Sequence, residues 1–305
     1  MTNKIIGIDI GGTSVKGAVI GRDGTLFEEF SFATDAAQGR DALLLRLVEG
    51  IRPLLNIWPE VRWLGIASAG RINSDTGEVV YATDNLPGWQ GVRLFDWAWE
   101  AFGLKAAVDN DANAALVGEA WCGAGTFREQ LVMLTLGTGV GGAYINKGEL
   151  CRGRRWSGGE WGHSILVPGG LPCNCGKRGC VEQYVSGTAL NRRAREASGG
   201  RYASGLDLLA AAHQGDLVAL KETKAFLQEL AVVIFNIYST LDPDAVILGG
   251  GVADSSGLWW EWLEEELDGC DPGMKIRKAS LDNKAGFIGA AKLAFDKEDH
   301  VLGGK

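Results

Sequence analysis

The chain has 305 residues, 46% of them apolar, and a formal charge of −8; that length suits two lobes better than one compact core. The acidic balance excludes a broad nucleic-acid surface, which carries basic stripes. No uninterrupted apolar run reaches the roughly 18 to 20 residues of a membrane span. The first residues enter a strand pattern at once with no leader ahead of it, so a cytosolic setting is expected.

Glycine is abundant, 45 residues gathered in short runs, as suits tight turns and close backbone approach to a ligand. Residues 4–10 read as a strand, Gly11-Gly12-Thr13 as a turn and 15–20 as the returning strand. Arg22-Asp23-Gly24 then leads to a third strand over 25–32. Apolar residues at helical spacing (Leu44, Leu47, Val48, Ile51, Leu54, Leu55) predict a helix over 41–55 that stops at Pro59. Residues 63–68 form a short buried strand ending in Ala69-Gly70. Another, 105–108, ends in Asp109-Asn110-Asp111 ahead of a helix over 112–121. The pattern then repeats: a strand over 131–136, a glycine turn over 137–142, a strand over 143–146. A helix over 216–241, with Leu217, Leu220, Leu227, Leu230, Ile234, Tyr238 and Leu241 on one face, ends at Asp242-Pro243. A buried strand over 245–248 runs into Gly249-Gly250-Gly251, and 286–295 is helical. Strand, glycine turn and strand thus occur once per half. Two α/β lobes around a cleft follow, with the boundary near 114–119.

Four of these stretches could carry chemistry. In Asp9-Ile10-Gly11-Gly12-Thr13-Ser14-Val15-Lys16, paired glycines can present N–H groups to phosphate oxygens, and Asp9 can hold Mg²⁺. It is neither a Walker A loop nor a GxGxxG turn, and a plain hairpin is the competing reading. Leu136-Gly137-Thr138-Gly139-Val140-Gly141-Gly142 repeats the device. Gly249-Gly250-Gly251 offers a side-chain-free surface for adenine or ribose. Asp109-Asn110-Asp111-Ala112-Asn113 places carboxylates at a strand end: Asp111 can accept a nucleophile's proton and Asn110 can orient a hydroxyl, while helix capping competes as an explanation.

A fifth stretch is more specific. His163, one of three histidines in the chain, precedes Cys173-Asn174-Cys175-Gly176-Lys177-Arg178-Gly179-Cys180. One imidazole and three thiolates make a closed Cys₃His zinc site with no open position for water. Such a zinc is structural and pins the segment that carries Glu160 and Glu182. Cys122, Cys151 and Cys270 read as ordinary reduced thiols.

Asp9-Ile-Gly-Gly-Thr13, Asn85-Leu-Pro-Gly-Trp89, Asn110-Asp-Ala-Asn113, 136–142, Glu160-Trp-Gly-His163 and 173–182 together resemble the ROK family of bacterial sugar kinases. The resemblance covers essentially the whole chain. It implies an α/β, two-lobed, actin-like (ribonuclease H-like) ATPase fold with an interlobe cleft and a structural zinc site. The smaller lobe would span 1–115, completed by a C-terminal helix over 289–305, and the larger 116–288. It further implies ATP-dependent phosphorylation of a hexose at its primary C6 hydroxyl, with Asp111 as general base. Gly70, Asn85, Asn110, Glu160, His163 and Glu182 would bind the sugar, His163 turning one ring nitrogen to zinc and the other to sugar. ATP would meet Asp9, Gly11, Gly12, Thr13, Lys16, Thr138, Gly139 and Gly250, with Mg²⁺ near Asp9 and Asp111. A homodimer is the family expectation.

Two departures from the family pattern bear on the sugar. Arg154, Arg155 and Trp156 stand where small residues are usual, and Arg71 follows Gly70, as in some relatives acting on N-acetylmannosamine; Thr83 also suits that reading. Asn85-Leu-Pro-Gly-Trp89 and 118–125 look more like glucokinases, so glucose leads, ahead of N-acetylmannosamine or N-acetylglucosamine and then fructose or allose. A non-catalytic sugar sensor is a different reading, but its relatives carry a DNA-reading module ahead of the first phosphate loop. A dinucleotide-dependent oxidoreductase lacks its glycine fingerprint. Glu264-Glu265-Glu266 reads as a solvated helix face, Trp259, Trp260 and Trp262 as core or subunit contact, and His213 and His300 as surface residues.

Overall fold

Ile5, Ile6, Ile8 and Ile10 are wholly buried in β1 (Lys4–Ile10), as expected for a strand covered on both faces. The computed structural model describes residues 3–83, 85–271 and 273–303. The chain divides into two units, Met1–Phe127 with Leu150–Gly158 and Asn283–Lys305, and Arg128–Glu149 with Gly159–Asp282.

In the first unit β1 pairs antiparallel with β2 (Ser14–Gly21), and β2 with β3 (Leu26–Ala33). The helix α1 (Arg40–Ile57) buries Leu43, Leu47, Ile51 and Leu54. It carries Pro53 internally and runs two residues past the predicted end, closing where the Trp58 N–H meets the Leu54 carbonyl. The strand β4 (Trp63–Ser68) lies parallel to β1, and a hairpin of β5 (Arg71–Asn73) and β6 (Glu78–Tyr81) follows. After α2 (Leu94–Phe102), β7 (Lys105–Asn110) joins parallel to β4 and leads directly into α3 (Asp111–Cys122). The sheet order is β3-β2-β1-β4-β7.

The second unit repeats this plan. Its β8 (Leu131–Leu136) pairs antiparallel with β9 (Val140–Asn146), and β10 (Glu149–Leu150) extends that edge. The predicted glycine turn is shorter than expected, because Gly141 and Gly142 already belong to β9. Four helices follow: α4 (Glu182–Val185), α5 (Gly187–Ser198), α6 (Gly205–His213) and α7 (Leu217–Leu241). Asp216 caps α7 by accepting from the N–H groups of Val218 and Ala219. The buried face of α7 includes Phe226, Leu227, Leu230, Ile234 and Ile237. Leu217, assigned to that face by its spacing, is instead 80% exposed, while Ala219 in the same turn is buried. Then come β11 (Ala245–Gly249), α8 (Gly251–Asp254), α9 (Trp260–Cys270) and β12 (Ile276–Lys278), giving the order β10-β9-β8-β11-β12.

The last helix, α10 (Ala285–Gly303), returns to the first unit and packs on α3, β1 and β4. Residues 304 and 305, predicted within this helix, lie outside the described residues. Gly65 on β4 and Gly289 on α10 make this packing possible: a Cβ on either would collide with backbone, of Ala290 and Ala114 respectively. Because α3 is held by α10, the first unit extends to Phe127 rather than ending at 115.

Candidate active site

In the first unit, Asp9 stands opposite Lys16 across the β1–β2 pairing. Burial and the neighbouring Asp111 push the Asp9 carboxyl up to about 7, with Lys16 opposing. The turn after it is braced from below by the buried Thr34. Its Oγ1 donates to the Gly11 carbonyl at 2.7 Å and its N–H to the Thr13 carbonyl at 3.0 Å. Gly12 and Thr13 are thereby left exposed, and Asn85 lies against Gly12.

The end of β7 is a dense hydrogen-bond network. Asn110 is the N-cap of α3: its Oδ1 accepts from the N–H groups of Ala112 (2.9 Å) and Asn113 (3.2 Å). Its Nδ2 donates to the Gly70 carbonyl at 2.9 Å and to Asp111 Oδ1 at 2.8 Å. The Ala112 N–H also reaches Asp111 Oδ1, at 2.8 Å. Capping and site chemistry, posed as rivals by the sequence, are therefore one arrangement that aims Asp111 from the positive end of α3. Gly70 has φ +100, and a Cβ there would strike the Tyr81 carbonyl.

Asp109, just before, is 1% exposed. Its Oδ1 accepts from the Asn110 N–H and from Asn113 Nδ2, each at 2.8 Å, and its Oδ2 takes both Nε and a terminal nitrogen of Arg152 at 2.7 Å. Sequence reasoning missed Arg152, although it dwelt on the arginines two and three positions later. Lys297 of α10 stands nearby; burial lowers its pKa, Asp75 and Asp109 opposing and Arg152 reinforcing.

In the second unit the turn at 137–139 is pinned to the start of α5. The Gly187 N–H donates to the Gly137 carbonyl at 2.8 Å, and Thr188 Oγ1 to the Thr138 carbonyl at 2.7 Å. A pocket of about 600 Å³ opens there, lined among others by Thr138, Thr188, Asn191, Leu206, Val252 and Ser255. Gly250, adjoining the pocket residues Gly251 and Val252, packs on the backbone of Leu136. Of the pocket residues beyond the glycine runs, only Gly187 and Thr188 had a local signal, the serine cap at Ser186 just ahead of their helix. Glu182 reaches the same turn: its Oε2 accepts from the Val140 N–H at 3.2 Å and fills the space that a Cβ on Gly139 would need.

His163, Cys173, Cys175 and Cys180 converge, each offering one ligand atom within 4.8 Å of the others. Cys173 Sγ lies 3.8 Å from His163 Nδ1, and the Cys175 and Cys180 sulfurs are 3.6 Å apart. Tetrahedral zinc with thiolates at about 2.3 Å needs edges of about 3.8 Å, so the donor set fits that ion. Burial pushes the Cys180 thiol up to about 12 and also raises Cys173; a bound divalent cation would favour thiolates instead. Glu160, exposed, begins the turn that delivers His163, whose N–H bonds the Glu160 carbonyl at 3.1 Å.

Two sheets of like topology, each with a glycine turn on its first hairpin, define an actin-like α/β ATPase fold. The sequence profile of the ROK family matches residues 5–297, and the chain belongs to that family. It is 33% identical to a glucokinase of Thermotoga maritima, over 95% of this chain and 96% of that one. It is 31% identical to an N-acetylmannosamine kinase of Shigella flexneri, over 95% and 98%. A ROK family glucokinase of Streptomyces griseus, solved with glucose and AMPPNP, superposes with a TM-score of 0.83 at 32% identity, covering 96% of this chain and 99% of that one.

Proposed function

We propose that the protein transfers the γ-phosphoryl group of ATP to the primary C6 hydroxyl of a hexose, glucose leading, with Asp111 as general base. The observation that carries this reading is the double hold on Asp111 Oδ1, by Asn110 Nδ2 and the Ala112 N–H. A carboxylate so fixed can accept the hydroxyl proton as the sugar oxygen attacks the γ-phosphorus and ADP leaves.

The other roles are assigned residue by residue. Gly11, Gly12, Thr13 and Lys16 would meet the phosphates, while Thr138, which lines the pocket, and its chain neighbour Gly139 would meet the nucleotide together with Gly250, next to the lining residue Gly251. Gly70, Asn85, Asn110, Glu160, His163 and Glu182 would bind the sugar. Both donors and both acceptor sites of the Asn110 amide are already engaged, so contact with a sugar hydroxyl must displace one of these bonds. Asp9 and Asp111, which disfavour each other's charge, are the hard oxygen donors for Mg²⁺, which when bound neutralises phosphate charge. Zinc on His163, Cys173, Cys175 and Cys180 would be structural and would fix the His163 ring through Nδ1. A cytosolic homodimer completes the proposal.

A second reading takes N-acetylmannosamine as the acceptor. Arg71 favours it: this residue donates to Ser157 Oγ at 3.0 Å and lies over the Tyr81 ring, beside Gly70. ADP release measured with glucose, mannose, fructose, allose, N-acetylglucosamine and N-acetylmannosamine separates the two. Asp111→Asn should lower kcat by roughly 10²- to 10⁴-fold on the best acceptor. No ADP from any sugar, or full activity in Asp111→Asn, would refute the proposal.

A further inference from the structure

The segment 150–158 is closed into a loop by the Gly158 N–H on the Arg152 carbonyl, at 2.8 Å. Gly153, Arg154 and Arg155 are exposed, so these three residues add little apolar burial. Instead the loop makes two polar contacts inside the first unit. Arg152 makes the paired bonds to the buried Asp109, and Ser157 Oγ accepts from Arg71.

These contacts land at the two ends of the Asn110 network. Asp109 Oδ1 holds the Asn110 N–H and the Asn113 amide. Arg71 follows Gly70, whose carbonyl receives Asn110 Nδ2. An unpaired carboxylate at Asp109 would have to move or take up a proton. Either change disturbs the Asn110 and Asn113 bonds, and with them the aim of Asp111.

We propose that Arg152 is a positioning residue for phosphoryl transfer, its ion pair with Asp109 locking the strand end that aims Asp111. This rests on the reading of Asp111 as the base. Arg152 touches neither sugar nor phosphate in this role, so its loss should fall on kcat rather than on binding.

Kinetics of Arg152→Met and Arg152→Lys on the best acceptor test it, with AMPPNP binding as the check on folding. Arg152→Met should lower kcat by about 10- to 100-fold, the range of a misplacement near 1 Å, with both KM values within about threefold. Arg152→Lys, keeping the charge but not the paired geometry, should fall between. If Arg152→Met binds no AMPPNP, Arg152→Lys alone decides: a kcat about 3- to 10-fold below the parent supports the proposal, and one within about twofold overturns it. An unchanged kcat in Arg152→Met, or KM rising in step with the loss of kcat, also overturns it. Asp111→Asn run in parallel separates the failures. If it is inactive while the Arg152 variants keep full kcat, only this proposal falls; if it is active, the base assignment falls and takes this proposal with it.

Discussion

Asn110 donates from Nδ2 to Asp111 Oδ1 across 2.8 Å while its own Oδ1 caps α3. One side chain therefore both starts the helix and orients the proposed base. Asn110→Ala should cost about 1 kcal/mol of stability, the usual worth of an N-cap, and lower kcat besides. Denaturant unfolding and steady-state kinetics on the same variant check both effects.

Asp9 gives the ligand-free protein a defined pH dependence. Its folded-state pKa, about 7, lies above the ordinary 3.8, so the folded chain holds this proton more tightly than the unfolded one. The stabilisation is complete below about pH 4 and is lost as pH rises towards 7. Thermal midpoints in magnesium- and nucleotide-free buffer without chelator should show that decline, and Asp9→Asn should flatten it.

The thiol cluster predicts about one tightly held zinc per chain, with His163 Nδ1 and three thiolates as ligands. Elemental analysis of purified protein checks the content. Cys175→Ser or Cys180→Ser should lose the metal and lower the thermal midpoint. A site kept at a thousandfold excess over its Kd contributes about 4 kcal/mol, so the loss should be plain.

The space around two glycines predicts opposite effects for their change to alanine. Gly65→Ala drives a Cβ into the Ala290 carbonyl and should cost about 3 kcal/mol or more. Gly269→Ala, on α9 with nothing within 4 Å, should gain about 0.5 to 1 kcal/mol. Unfolding curves of the pair check the contrast.

Much of the fold was legible because buried strands are short apolar runs cut off by glycine. The strands at 4–10, 63–68 and 131–136 have the predicted bounds. Helix faces were read less well. Leu44, counted among the helically spaced residues of α1, is half-buried against the core, whereas Leu43, which was not counted, is fully buried, because spacing alone cannot say which edge of a stripe meets the sheet. Short helices such as α4 and α8 escaped notice, since four residues show no period.

The candidate site divides the same way. Asp9, Asn110, Asp111, His163 and the three clustered cysteines stand in local motifs, where residue type and spacing state the chemistry. The sequence alone thus determined the family, the Cys₃His cluster and the pairing of glycine turns with carboxylates. It could not relate Arg152 to Asp109, 43 positions apart, nor Glu182 to Val140, 42 apart. It also drew the lobe boundary through α3, at 115, because the helix that packs on α3, α10, comes at the far end of the chain. Those relations were decided by tertiary structure: a hydrogen bond reaches only about 3 Å, and only the folded backbone brings such distant positions that close.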